Sequence, residues 1–116
     1  MLLQMYKAKI SNARITATEL YYEGSITIDE KLIKASGIFP GERVQVVNLD
    51  NGNRFETYVI SGKAGSGEIC LNGPAAHKGR IGESIHIIAY ALMEPKEAKT
   101  FKPKVIKLHE HNRIKN

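Results

Sequence analysis

The chain has 116 residues and a formal net charge of +5. Ten Lys/Arg and ten Asp/Glu cancel over residues 1–94, while seven Lys/Arg face two acids over 95–116. A neutral body offers no broad field to steer a nucleic acid. The lone cysteine, Cys70, excludes an internal disulfide and a cysteine zinc set and reads as a small buried apolar residue. No run approaches the ~18 apolar residues of a membrane helix, and Lys7 and Lys9 break the opening MLLQMYKAKI before a signal-peptide core forms. These features predict a soluble, cytoplasmic protein with one domain over 1–94 and a charged tail over 95–116, binding neither nucleic acid nor membrane.

Short alternating runs rich in Val, Ile, Thr and Tyr predict strands at Tyr6–Ile10, Ala13–Thr16, Ser25–Ile28, Arg43–Leu49, Arg54–Ile60, Glu68–Leu71 and Ser84–Ala89. Thr18–Tyr21 reads as a turn of helix. Asp29–Ala35 reads as a short helix with Asp29 as N-cap and Gly37 just beyond its end. Asp50-Asn51-Gly52-Asn53 predicts a tight type I′ hairpin. Alternation after it puts Arg54, Glu56, Tyr58 and Ile60 on one face and Phe55, Thr57 and Val59 on the other. Gly41-Glu42-Arg43-Val44-Gln45-Val46-Val47 is echoed by Gly82-Glu83-Ser84-Ile85-His86-Ile87-Ile88, as in a barrel of two interlocked halves. A short helix around Pro95–Lys99 and then loose chain complete a mainly β reading.

Familiar catalytic frames are missing. There is neither GxxxxGK[ST] nor GxGxxG, and GKAGSG at Gly62–Gly67 precedes a strand and reads as a hairpin loop. His109 and His111 lie in the charged tail without a third ligand nearby in sequence, so no metal is expected. Ser25 has no GxSxG frame. What remains is the bond between Gly24 and Ser25, at the entrance to a strand. A serine hydroxyl can reach the preceding carbonyl carbon through a five-membered ring and convert amide to ester. Elimination of that ester leaves dehydroalanine, and hydrolysis then expels ammonia and leaves a pyruvoyl ketone. Glycine before the serine clears the path of attack and permits unusual backbone angles. A Gly-Ser pair alone is an ordinary turn; its surroundings decide.

Those surroundings are Lys9 in KAKI, Tyr22-Glu23-Gly24-Ser25 followed by Ile26-Thr27-Ile28-Asp29, Asn51-Gly52-Asn53-Arg54-Phe55-Glu56-Thr57-Tyr58, and Cys70-Leu71-Asn72-Gly73-Pro74-Ala75-Ala76. In order and spacing the set resembles the pyruvoyl-dependent aspartate 1-decarboxylases over about residues 5–105. The resemblance implies a double-psi β-barrel, assembled as a homotetramer with active sites between subunits. It implies a chain cut into 1–24 and 25–116, with a covalent pyruvoyl group from Ser25 in place of pyridoxal phosphate or a metal. It also implies conversion of L-aspartate to β-alanine, a precursor of pantothenate and coenzyme A, through a Schiff base on that group.

Roles carry over residue by residue. Ser25 and Tyr58 would be catalytic, Tyr58 as proton donor. Gly24, Ser25 and Thr57 would serve self-processing, with Thr57 polarising the Gly24 carbonyl; its place on the face opposite Tyr58 is awkward for a single site. Lys9 and Arg54 would bind the doubly anionic substrate, Arg54 as a planar fork. Thr57, Asn72, Gly73, Pro74 and Ala75 would line the substrate, supported by Tyr22 and Ala76. Two departures stand out. Ser11 and Asn12 replace the family's usual His-Arg, and Gly73-Pro74-Ala75-Ala76 replaces its triple-alanine loop, where Pro74 brings no N–H. The rival reading from another class is a non-catalytic barrel that binds through its basic tail.

Overall fold

Alternation of β-branched and polar residues makes most of this chain extended, and the computed structural model, which describes residues 1–115, is mainly β. The strands are β1 Leu3–Arg14, β2 Ala17–Glu19, β3 Ser25–Asp29, β4 Arg43–Asn48, β5 Arg54–Gly62, β6 Ile69–Asn72, β7 Ser84–Met93, β8 Lys104–His109 and β9 Arg113–Ile114. The helices are α1 Glu30–Ser36 and α2 Pro95–Ala98. The strands form one sheet in the order β2-β6-β3-β5-β4-β7-β1-β8-β9. The pairs β1–β8, β2–β6 and β3–β5 are parallel, and the other neighbours are antiparallel. Inward residues close a dry aliphatic core, with Ile10, Ile26, Ile28, Val46, Ile69, Leu71, Ile85 and Ile87 fully buried. Among the described residues, no helix is long and apolar enough to cross a membrane.

The structure corrects four local expectations. The two strands expected at Tyr6–Ile10 and Ala13–Thr16 are one. The β1–β7 register slips between Ile10 and Ala13, where Asn12 has φ 62°, so a bulge absorbs the break in alternation. Thr18–Tyr21 does not begin a helix; Ala17–Glu19 pairs in parallel with Cys70–Asn72 instead. The hairpin is not a two-residue type I′ turn. Gly52 has positive φ but Asn51 does not, and Gly52 N–H donates to the Asn48 carbonyl at 2.9 Å. The buried Asn48 side chain widens the turn, accepting from the N–H groups of Asp50 (2.8 Å) and Asn51 (3.3 Å).

The fourth correction concerns the tail, whose chain beyond α2 is not loose. Ile106 and Leu108 are buried where β8 pairs with Ala8–Ser11, and their exposed neighbours Lys104, Lys107 and His109 hid the strand in the sequence. Asn112 locks this segment down. Its Nδ2 donates to the carbonyls of Arg14 (2.9 Å) and Gly67 (2.8 Å), and its Oδ1 accepts from Arg14 N–H (2.7 Å).

The sequence echo is a structural repeat. At Gly41-Glu42, Gly41 N–H donates to Val59 O, Val59 N–H to Glu42 O, and Phe39 N–H to Glu42 Oε1, at 2.7, 3.1 and 3.0 Å. At Gly82-Glu83, Gly82 N–H donates to Ile15 O, Ile15 N–H to Glu83 O, and Arg80 N–H to Glu83 Oε1, at 2.8, 3.0 and 2.8 Å. Both glycines have positive φ, 87° and 94°. The strands that follow, β4 and β7, pair antiparallel with Val46 opposite Ile87.

Asp29 caps α1 as expected and does more. Its Oδ1 accepts from Lys31 N–H (2.8 Å) and Gly65 N–H (2.9 Å), and its Oδ2 from Gly67 N–H (2.8 Å). Gly37 closes the helix with φ 77°. Burial pushes the Asp29 carboxyl up, but the three backbone donors and Lys31 outweigh it and hold the group below its ordinary value of 3.8. A depressed pKa means stability that is fully present above the unfolded value and lost as pH falls through the folded one. Asp29→Asn should therefore melt lower than the parent at neutral pH, by the equivalent of about 1 kcal/mol or more. The gap in Tm should narrow below about pH 4, and an unchanged gap down to unfolding would assign Asp29 no such role.

Candidate active site

β3 begins at Ser25 and is held between β5 and β6. Ser25 is 0% exposed, with φ 117°, and Gly24 before it has φ 137°. An L-residue rarely adopts such an angle, and strain of this kind is worth roughly 1–3 kcal/mol. Gly24 meets the need with no side chain, and space is open around it. Ser25 does carry a side chain, and its conformation is enforced from outside. Ser25 pairs with Asn72 across the β3–β6 ladder. Asn72 Nδ2 donates to Ser25 Oγ at 2.8 Å and to Thr27 Oγ1 at 2.9 Å. Its Oδ1 accepts from the Cys70 thiol at 3.2 Å. Burial first, then the Glu68 and Glu19 carboxylates, push that thiol up, so it stays protonated.

Gly73 follows with φ 64°, and no other residue fits. A Cβ there would meet Tyr22 O at 2.5 Å and Gly24 N at 2.8 Å. Its backbone thus presses directly on the segment leading into Ser25. Pro74 opens a 3₁₀ segment spanning Gly73–Lys78, at a position whose N–H has no partner within the helix. Ala75 is buried and Ala76 half-buried beside it.

Thr57 and Tyr58 are neighbours on β5, Thr57 half-buried and Tyr58 exposed. They immediately precede Val59, which pairs with Ile26 at the start of the parallel β3–β5 ladder. Arg54 shares the outward face of Tyr58, with its Nη1 donating to Gln45 Oε1 at 3.3 Å. Four residues of strand separate the two, roughly 13 Å between Cα atoms. Tyr22 and Tyr58 are about half exposed.

Lys9 stands apart on β1, opposite Ile88 and Val105. Three strands separate β1 from β3 in the sheet order. Among the described residues Lys9 forms no hydrogen bond or ion pair with the groups around Ser25. Of the two departures at positions 11 and 12, Asn12 N–H donates to His86 Nδ1 at 3.2 Å, with Ser11 Oγ at 3.4 Å from the same atom. Sequence reasoning missed Thr27 and the Cys70 contact. The only available signal was the alternation that puts Cys70 and Asn72 on one face of β6.

In chemical terms the arrangement is a buried hydroxyl at a strained peptide, with an amide donor fixed on its oxygen. The description aspartate decarboxylase belongs to a family model that matches residues 1–115. An aspartate 1-decarboxylase from Carboxydothermus hydrogenoformans is 58% identical over 114 residues, covering 98% of this chain and 90% of that protein. One from Chloroherpeton thalassium is 56% identical over 99% of this chain and 85% of its own length. One from Desulfotalea psychrophila is 55% identical over 99% of this chain and 97% of its own length. By both measures, identity and coverage, this chain belongs to the aspartate decarboxylase family.

Proposed function

We propose that this chain is a self-processing decarboxylase that converts L-aspartate to β-alanine and carbon dioxide, for pantothenate and coenzyme A synthesis, using a pyruvoyl group made from its own Ser25. The observation that carries the reading is Ser25 itself, buried at φ 117° with an amide N–H of Asn72 on its Oγ. Strain at the bond to be broken lowers the barrier to breaking it, and the product at position 25 has no φ to strain.

Each step balances. Ser25 Oγ attacks the Gly24 carbonyl carbon; the Oγ–C bond forms, the C–N bond breaks, and the hydroxyl proton ends on the Ser25 nitrogen. The Ser25 Cα proton then leaves to water as the Cβ–Oγ bond breaks, with Oγ departing in the Gly24 carboxylate. One water replaces the nitrogen, which leaves as ammonia. Asn72 holds the hydroxyl for the attack and serves the elimination directly, because its N–H meets Oγ, which then leaves bearing negative charge. Thr57, on β5 two residues before the partner of Ile26, is assigned to the carbonyl under attack.

The residues fit the group that results, because position 25 is sealed between β5 and β6 with donors already in place. The group supplies an electron sink for the pair left when carbon dioxide departs. The chain's own residues do the rest. Arg54 takes a substrate carboxylate with its planar fork. Tyr58, one residue before the partner of Ile26, delivers a proton to the substrate carbon. Asn72 and the backbone of Gly73, Ala75 and Ala76 hold the substrate's polar atoms. Lys9 adds positive charge from another subunit, since it lies away from Ser25 in its own.

The working unit we infer is a homotetramer. Large apolar side chains left open on one chain support it, among them Tyr21 at 95% exposed and Phe39 at 70%. The fragments 1–24 and 25–116 should stay associated after cleavage, because β1 and β2 pair with β7, β8 and β6 of the longer piece. The double-psi form of the barrel rests on the resemblance, supported by three parallel pairings in an otherwise antiparallel sheet and by the repeated Gly-Glu turn.

Intact-mass measurement of the purified protein, warmed until stable, should give two chains divided between Gly24 and Ser25, and aspartate should release carbon dioxide. Ser25→Ala should give one chain and no release. An active Ser25→Ala, or active protein with an unmodified serine, would end the proposal. Tyr58→Phe should cleave normally yet lose about 10²-fold or more in kcat, as expected when a proton donor is removed; full activity would move the donor elsewhere. Gly73→Ala should slow self-cleavage at least about tenfold by displacing Tyr22–Gly24, read as the half-time of the two-chain product.

A further inference from the structure

We propose that Cys70 is a positioning residue for self-processing: its thiol proton holds the Asn72 amide in the one orientation that directs both N–H bonds to the hydroxyls of Ser25 and Thr27. The inference rests on the self-cleavage reading above and extends it to a residue that otherwise reads as inert packing.

A buried asparagine amide can sit in two orientations that differ by a half-turn and occupy the same space. With hydroxyls on one side, both orientations can be satisfied, because a hydroxyl either accepts or donates. Ser25 and Thr27 therefore do not decide which end of Asn72 faces them. The third partner decides. Cys70 Sγ lies 3.2 Å from Oδ1 and is the partner of that oxygen among the described residues. A thiol sulfur accepts far more weakly than a hydroxyl oxygen, so Cys70 is better matched to the carbonyl end, which at 3.2 Å is nearer than its other acceptor, the Leu71 carbonyl at 4.0 Å; the amino end is then turned to Ser25 Oγ at 2.8 Å and Thr27 Oγ1 at 2.9 Å. Both Cys70 and Asn72 are buried, so no water competes for the choice.

The two orientations are not equal for the reaction. With the amino end toward it, Ser25 Oγ receives a donor where negative charge gathers, and its own proton remains free to leave. With the amide turned over, Ser25 would donate its proton to the Asn72 carbonyl oxygen, which is too weak a base to take it, and the departing Oγ would face a carbonyl dipole of the wrong sign. Burial and the neighbouring carboxylates of Glu68 and Glu19 keep the thiol protonated, consistent with its service as donor. Strand geometry fixes the triad in place, since Cys70 pairs with Thr27 and Asn72 with Ser25 across the β3–β6 ladder.

The test follows self-cleavage of the full chain over time by intact mass, with Tm measured alongside. Cys70→Ala should slow cleavage about five- to tenfold, as expected for loss of one modest hydrogen bond. Cys70→Val, also without a donor and leaving no cavity where the sulfur was, should slow it equally and serves if the alanine variant does not fold. Cys70→Ser keeps a donor and should cleave within about twofold of the parent. In an Asn72→Ala background, Cys70→Ala should add no further slowing, because the group it positions is gone. A packing role would slow both backgrounds alike and track Tm. Parental rates in both donorless variants, failure of Cys70→Ser to restore cleavage, or equal slowing without Asn72 would overturn the proposal. A parent chain that never cleaves would instead overturn the self-processing reading beneath it.

Discussion

Ser25 holds a positive φ inside a sheet, and nearly every other feature of the site exists because the sheet does not let it relax. A lone residue at 117° would rotate away at once. Here β6 pairs with it on one side and β5 runs parallel on the other, and the next residue, Ile26, is fully buried between Leu71 and Val59. Strain persists only when its neighbours over-determine the backbone. The far end of the same strand is fixed as firmly, since Asp29 collects three backbone N–H groups and ties β3 to the Gly65–Gly67 loop. A strand anchored at both ends transmits packing stress to its weakest point, which is the entrance at Gly24–Ser25.

Gly73 contributes a second constraint from outside the sheet. Its bare Cα lies against Tyr22 O and Gly24 N, so the approach to Ser25 is pressed between a glycine backbone and the strand it enters. This explains how the loop at 73–76 tolerates proline. The function of Gly73 is close approach, and Pro74 needs only a fixed φ at the start of a 3₁₀ turn. A departure that looked like the loss of a donor in the sequence proves to be a compatible way of starting the same segment.

Much of this was legible in the residues. The mainly β class, α1 with its Asp29 cap, and the echo of Gly-Glu turns follow from alternation, capping chemistry and glycine placement, all local effects. The failures share a cause, which is that long-range pairing overrode local preference. Thr18 became a strand because β6 was there to pair with it. Lys104–His109 became a strand because β1 offered an edge, though its outward lysines read as solvated tail. Asn48 reshaped the hairpin by reaching across to its own turn and, through Nδ2, to Glu83 at 3.0 Å. Around Ser25, the meeting of Asn72 with Ser25 and Thr27 required the β3–β6 register, which no single strand reveals.

The two turns of the repeat sit in different surroundings. Both Gly-Glu turns grip a strand through the same pair of backbone bonds, one at Val59 within β5 and one at Ile15 just past β1. Past Ile15 the chain turns into a short strand on β6, and the positive φ angles nearby fall on Asn12, His111 and Asn112. At Val59 the gripped strand is the parallel neighbour of β3, and Val59 itself pairs with Ile26, the residue after Ser25. The symmetric turn supplies rigidity in both places. Only the first lies beside a strand that opens on a serine held at positive φ.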